Sequence, residues 1–210
     1  MNTNGYALQQ QTIGYYQRHA KSFAEQTADI DMQHLYERFI EQLPSTAAQN
    51  ILDAGCGSGR DAAYFANLDY QVTAFDASTH LIEWAGEHHS SKAIDWQILN
   101  FSDIQNQAWH HRFTGIWACA SLLHIPFSEL PALITLLLDA LVANGVLYAS
   151  FKYGAAERVE NRRFFCDMNE QRWQKVSSKI PLHVSDQSWL SADKRLGNQN
   201  QWFNVLIHKG

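Results

Sequence analysis

Ile51-Leu52-Asp53-Ala54-Gly55-Cys56-Gly57-Ser58-Gly59-Arg60-Asp61 is the stretch on which the reading of this chain turns. Ile51-Leu52-Asp53 is a short apolar strand, and residues 60–68, with Ala62, Ala63, Phe65 and Ala66 in register, read as a helix. The glycines between them let the backbone turn tightly and approach a ligand closely. Downstream the same rhythm continues. Residues 71–75 form a second strand, followed by a helix over 78–88 with Ser78 as its N-cap and Leu81, Ile82 and Ala85 as its inner stripe. Strands follow at 94–99 and 113–118, then a long helix over 128–142 ended by Asn144-Gly145. Residues 146–151 are apolar throughout, as a strand buried on both faces requires.

Strands alternating with helices imply a parallel sheet covered on both sides, because parallel neighbours need crossover connections. The tail departs from this. After a helix over 172–179, two strands at 183–190 and 202–208 have no helix between them, and their connection contains Gly197-Asn198, which predicts an antiparallel hairpin. The expected fold is α/β: a doubly wound, mostly parallel, seven-stranded sheet closed by a C-terminal antiparallel hairpin.

Upstream of the first strand, Tyr15, Tyr16, His19, Ala20 and Phe23 form one amphipathic pattern. Leu35, Phe39, Ile40 and Leu43 form another, closed by Pro44. The polar residues 2–12 are expected to be a loose end. Residues 1–48 therefore read as a helical cap or lid, and 49–210 as the main domain.

The bulk properties exclude several classes. A chain of 210 residues, 46% apolar and 18% charged, can bury a core without disulfides. A net charge of −5 disfavours nucleic acid as a partner, since that binding is driven by phosphate neutralisation. Cys56, Cys119 and Cys166 have no paired spacing and read as reduced thiols, pointing to the cytoplasm. The longest apolar run, within 133–142, is too short to span a bilayer, so no membrane is expected as a partner. The adjacent pairs His88-His89 and His110-His111 lack ligand companions and are expected on surface helices, so no metal is expected.

The loop gains meaning from Asp76, which ends the second strand 19 residues beyond Gly57. A carboxylate there can accept two hydrogen bonds from a ribose diol, which implies a nucleoside-containing ligand in the crevice. A dinucleotide site is the rival, but its third glycine is replaced by Arg60, and a pyrophosphate has no use for an anion at Asp53. A ligand carrying an ammonium and a sulfonium does, which favours S-adenosylmethionine.

The run from Ile51 to Asp61, with Val72-Thr73-Ala74-Phe75-Asp76-Ala77-Ser78, resembles the class I S-adenosylmethionine-dependent methyltransferases, whose fold is Rossmann-like. Further matches lie at 113–117, at Ser121-Leu122-Leu123-His124 and at 141–147. The resemblance implies that Gly55, Cys56 and Gly57 lie against the methionine part through backbone atoms, with Arg60 nearby. It implies that Asp53 orients the loop and faces the ammonium, directly or through water, and that Asp76 holds the ribose hydroxyls. Ala77 would pack near the adenine. Asn100-Phe101 stands where the family often has an acidic residue receiving the adenine amino group. An amide oxygen can also accept that bond, and Asp103 is the nearby alternative. Ala118 would lie beside the methyl group. Cys119-Ala120-Ser121-Leu122 lacks the Asn/Asp-Pro-Pro-aromatic motif of amine methylation on bases or glutamine, and Cys119 reads as a packing residue.

The resemblance thus implies methyl transfer to a small-molecule oxygen, nitrogen or sulfur nucleophile. Alternatives are a tRNA or protein methyltransferase, or a non-catalytic S-adenosylmethionine-binding regulator. His124, after the fourth strand, is the candidate general base, or else a structural or ligand-positioning histidine. The segment 152–172, with Lys152, Tyr153, Arg158, Arg162, Arg163, Phe164 and Phe165, is either a lid for an anionic or aromatic acceptor or a charge-balanced connector. Tyr15, Tyr16 and Arg18 either cover the cofactor or serve helix packing.

Overall fold

The computed structural model describes residues 3–45, 49–181, 184–194 and 200–210. Helices α1 (Thr3–Thr27) and α2 (Gln33–Ile40) precede β1 (Asn50–Ala54), α3 (Arg60–Ala66), β2 (Gln71–Asp76), α4 (Thr79–His88) and β3 (Ile94–Ile98). Then come β4 (Phe113–Ala118), α5 (Leu130–Ala140), β5 (Leu141–Lys152), β6 (Glu157–Glu160), β7 (Arg163–Cys166), α6 (Glu170–Ser177), β8 (Val184–Ala192) and β9 (Gln201–Lys209).

Seven strands make one sheet in the order β3-β2-β1-β4-β5-β9-β8. The first four ladders are parallel, whereas β9 runs antiparallel between β5 and β8. This is the expected architecture, and the expected tail hairpin closes it; Gly197-Asn198 lies outside the described residues. Chain order reverses direction between β1 and β4, and in such sheets the crevice beyond the strand ends at that point takes ligands.

Strand alternation divides the core between the two faces. Leu52, Ala54 and Ile116 pack with Leu137, Leu138 and Phe203 on one side. Ile51, Trp117 and Tyr148 pack with Phe39 and Phe65 on the other. Tyr36 and Phe39 of α2 thus belong to the same core as the sheet.

Four expectations need correction. Residues 3–12 are the first turns of α1, not a loose end. Their inward face is polar, and it is buried because it finds partners: Thr12 Oγ1 accepts from the Phe164 N–H at 3.0 Å, and Gln9 Nε2 donates to Asn100 Oδ1 at 2.7 Å. The helix expected over 128–142 stops at Ala140, because Leu141 pairs with Phe113 and begins β5. The segment 152–172 holds an unforeseen hairpin, β6–β7, turned by Asn161 (φ 49°) and Arg162 (φ 62°). Positive φ at both central residues is the twist a two-residue hairpin turn needs. Finally, His110 and His111 lie in a turn before β4 and His89 caps α4, so only His88 of the four lies in a helix.

Candidate functional site

The chain leaves β1 through Gly55 (φ 78°), and both Gly55 N–H and Cys56 N–H donate to the Phe75 carbonyl at 2.9 Å. The loop is thereby pinned to the end of β2. Asp76 pins it a second time: Oδ2 accepts from Gly57 N–H at 3.1 Å and Oδ1 from Ser78 N–H at 2.8 Å. Burial raises the Asp76 carboxyl above its ordinary range, and these backbone donors act against that rise. Ser78 caps α4 as expected, accepting from Leu81 N–H at 3.3 Å. A Cβ on Gly55 would fall 2.5 Å from Cβ of Ser121, so only glycine admits the close approach of β1's loop to the segment after β4.

Above this loop lies a cavity of about 260 Å³, roofed by α1. Gly55, Cys56, Gly57, Arg60, Asp76, Ala77, Asn100 and Phe101 all line it, so eight of the expected binding residues converge. Asp53 and Ala118 do not reach the wall. Ala118 is fully buried inside β4, and the wall there is made by Cys119, Ala120 and Ser121. Asp53 is buried beneath the loop with Oδ2 lacking a partner. Burial, reinforced by the charge of Asp61, pushes its carboxyl well above the usual range. Arg60 is anchored by Asp61 Oδ1 at 2.6 Å and by the Thr27 carbonyl at 2.9 Å. Asn100 Oδ1 already accepts from Gln9 and, at 3.3 Å, from Ser102 N–H. Asp103 is exposed and not on the cavity wall.

His124 also lines the cavity. Its Nδ1 lies 2.6 Å from the Phe164 carbonyl, which can only accept, so Nδ1 carries the proton. Nε2 then accepts from the Tyr16 hydroxyl, 3.0 Å away. Burial lowers the imidazole to about 4, aided by the charges of Arg163 and Lys152 and opposed by the Phe164 bond. Burial raises the Tyr16 phenol, while Arg163 beside it acts the other way.

Arg163 is held by rings: its guanidinium carbon lies 4.5 Å from the Tyr15 ring centre, 5.1 Å from Phe165 and 6.0 Å from Tyr16. Its Nε is buried and finds no partner among the described residues. Lys152 Nζ lies 4.0 Å from the Phe165 ring centre and 3.7 Å from Glu160. Both cations line the same cavity as the glycine loop. Arg158, by contrast, pairs with Asp167 and Glu160 and serves the hairpin itself. The two thiols at the site stay protonated: burial pushes Cys56 well up and Cys119 to about 12. Among the described residues, no three metal-ligating side chains gather.

Sequence reading passed over Gln9 and gave Asp61 no role. The available signal for Gln9 was spacing, since Gln9, Thr12, Ile13 and Tyr16 all line the cavity at helical intervals.

Comparison with known proteins agrees with this picture. Residues 51–145 match a family described as a methyltransferase domain. O-methyltransferase rstn1 of Aspergillus nomiae is 31% identical over 111 residues, covering 48% of this chain and 46% of that protein. The 27-O-demethylrifamycin SV methyltransferase of Amycolatopsis mediterranei is 28% identical over 116 residues, covering 54% and 41%. The chain spans less than half the length of these relatives. Among solved structures, the Burkholderia thailandensis 1,6-didemethyltoxoflavin-N1-methyltransferase, with 1,6-didemethyltoxoflavin and S-adenosylhomocysteine bound, superposes with a TM-score of 0.75 at 16% identity. That match covers 100% of this chain and 91% of the other. The DhpI complex with S-adenosylhomocysteine gives 0.71 at 15% identity, covering 98% of both. At these identities the likeness is one of fold.

Proposed function

We propose that this chain, whose residues 51–145 match a methyltransferase-domain family, is a class I S-adenosylmethionine-dependent methyltransferase that binds S-adenosylmethionine over the glycine loop and methylates a small oxygen acid bound as its anion. One observation carries the reading: the loop with Asp76, and the group Tyr16, His124, Arg163 and Lys152, line one continuous cavity. A cofactor end and an acceptor end therefore share one space.

The residues present fit the cofactor. The loop's glycines leave room against the backbone, and Asp76 offers a carboxylate at the wall where a ribose diol needs acceptors. Asp53 stands off the wall with its carboxyl pushed up by burial, so it serves the fit through the loop it lies beneath and not as an anion against the ammonium group. When bound, S-adenosylmethionine supplies an electrophilic methyl on a sulfonium.

The acceptor end supports an anionic nucleophile. His124 is neutral at physiological pH and titrates at about 4, so it removes protons only from acids of similar strength. We therefore assign it to positioning Tyr16 and not to general-base work. Arg163, with an unsatisfied buried N–H and a ring-lined seat, suits an oxyanion carried on a planar or apolar body. Lys152 adds a second positive charge. An acceptor that arrives deprotonated needs only to be aimed and desolvated, and orientation alone can lower a barrier by roughly 7–11 kcal/mol. Residues 1–48 act in this reading as the cap over both ends. The three free cysteines fit a reducing, cytoplasmic setting.

Calorimetric titration with S-adenosylmethionine and S-adenosylhomocysteine tests the first half. Transfer of a labelled methyl group to a panel of carboxylic acids, acidic phenols, amines and thiols tests the second. Turnover confined to amines or thiols would sink the anionic acceptor, and absence of cofactor binding would sink the whole reading.

A further inference from the structure

Gln9 sits on α1 with only 6% of its surface exposed. Its Nε2 donates to Asn100 Oδ1 at 2.7 Å, yet its Oε1 is buried and has no partner among the described residues. A buried acceptor left unsatisfied costs the full desolvation of that group. Gln9 lines the cavity together with Ala77, Leu99, Asn100 and Phe101, at the end where the base of the cofactor is expected.

The acceptor for an adenine amino group at this end has to be an oxygen with a spare lone pair. Asn100 Oδ1 is not one. A carbonyl oxygen has two lone pairs, and here Gln9 Nε2 and Ser102 N–H occupy both. Asp103 is exposed, faces Ser102 Oγ at 3.3 Å and is absent from the wall.

We infer that Gln9 Oε1 reads the exocyclic amino group of the cofactor's adenine, while Asn100 orients Gln9 by accepting from its amide. The cap helix then contributes to base selection as well as covering the site. This rests on the cavity being the S-adenosylmethionine site. The oxygen at the matching position of hypoxanthine would face Gln9 Oε1 acceptor to acceptor, so a hypoxanthine base should be rejected.

The test is calorimetric binding of S-adenosylhomocysteine and S-inosylhomocysteine to the wild type, Gln9→Leu and Gln9→Glu, with circular dichroism melts confirming that each is folded. The wild type should prefer the adenine compound by about tenfold or more, the loss expected when two acceptors meet without a proton between them. Gln9→Leu, close in size and favourable in a helix, should lose most of that preference. Gln9→Glu, which loses the amide N–H that Asn100 Oδ1 accepts, should bind the adenine compound more weakly than the wild type does. Equal affinity of the wild type for both compounds overturns the inference, and so does a full preference persisting in Gln9→Leu; in either case the cofactor assignment stands. If the wild type binds neither compound, both this inference and the proposed function fall. Should Gln9→Leu fold poorly, Gln9→Met, also apolar and favourable in a helix, takes its place in the comparison.

Discussion

The hydroxyl of Tyr16 lies 3.0 Å from Nε2 of His124, joining the cap helix to the segment after β4 across 108 positions of sequence. The Phe164 carbonyl at 2.6 Å on the other ring nitrogen fixes the tautomer, so the phenol must donate. Three elements are thereby locked around the acceptor end: α1, the turn after β4, and β7. Removing the hydroxyl leaves a buried nitrogen without its donor. Tyr16→Phe should lower kcat/KM for methyl transfer by about tenfold, the order expected for one buried hydrogen bond. Its affinity for S-adenosylhomocysteine should stay within about twofold of wild type. Unchanged turnover with a folded variant would remove Tyr16 from the acceptor end.

The same pair makes a pH prediction with two parts. The folded His124 titrates at about 4, below the ordinary 6.5, so the unfolded chain binds its proton more readily. The stability this contributes is complete above pH 6.5 and is lost as pH falls toward 4, up to about 3 kcal/mol. Asp53 and Asp76 have raised carboxyls and act in the opposite sense, so the useful quantity is the difference between wild type and His124→Gln. Urea unfolding at pH 7.5 and pH 4.5 should show the wild type losing more stability on acidification than the variant. In addition, kcat/KM should show no inflection near 6.5. An acidic limb there would reinstate His124 as the base.

Arg163 lines the cavity beside Lys152, whereas Arg158 is engaged by Asp167 and Glu160. Arg163→Leu should raise the acceptor KM by at least about tenfold, as expected for losing a hydrogen bond to a charged group. Cofactor affinity should be unaffected. Arg163→Lys should restore only part, because an ammonium lacks the planar fork. A KM insensitive to Arg163→Leu would argue for a neutral acceptor.

The glycines of the loop differ in what they tolerate. A Cβ on Gly59 would lie 2.4 Å from Trp96 Cη2 and 2.9 Å from Ala85 Cβ, at φ 79°. One on Gly57 would meet only the Phe23 ring edge, at 3.2 Å. Overpacking added to a left-handed backbone predicts a loss of about 3 kcal/mol for Gly59→Ala. In a chain of this size that shifts Tm by on the order of 10 °C. Gly57→Ala should shift it by less than half as much. Thermal melts giving the two variants equal Tm would contradict this ordering.

The sheet was legible because its parallel strands are buried on both faces and therefore read as continuous apolar runs, as at Val146 to Phe151. The opening half of α1 was not, because its inward residues are polar. Gln9, Thr12 and Gln17 are buried or part-buried through bonds to Asn100, Phe164 and Ser78, which lie 91, 152 and 61 positions away. No local pattern encodes such partners. The β6–β7 hairpin escaped notice for a related reason: its turn uses Asn161-Arg162 where glycine is the usual signal, and its strands are short and charged. At the site, the glycine loop and Asp76 belong to one contiguous motif and could be read together. Tyr16, His124 and Arg163 come from three elements, and nothing in the sequence separates Arg163 from Arg158 and Arg162.

Asp61 offers the clearest test of what holds α1 and α2 to the sheet. It is 7% exposed and accepts from Tyr36 Oη at 2.5 Å, Trp117 Nε1 at 2.8 Å and Arg60 Nε at 2.6 Å. Burial alone would raise its carboxyl; the Arg60 charge and the three donors outweigh it and hold the group below its ordinary value. Arg60 in turn reaches the Thr27 carbonyl at the end of α1, so one buried ion pair links α1, α2, α3 and β4. Asp61→Asn sets an N–H₂ against the donors of one oxygen, either Tyr36 and Arg60 or Trp117, and strands the buried guanidinium. Breaking one side of such a pair costs about 3–5 kcal/mol, whereas removing both charges together is often near neutral. Asp61→Asn should therefore lower Tm by on the order of 10 °C. The double variant Arg60→Met with Asp61→Leu should recover a substantial part of that loss, while still losing cofactor affinity because Arg60 lines the cavity. If the double variant were less stable than Asp61→Asn, the pair would be a net stabiliser of the fold, and the link to α1 and α2 would rest on the charges themselves.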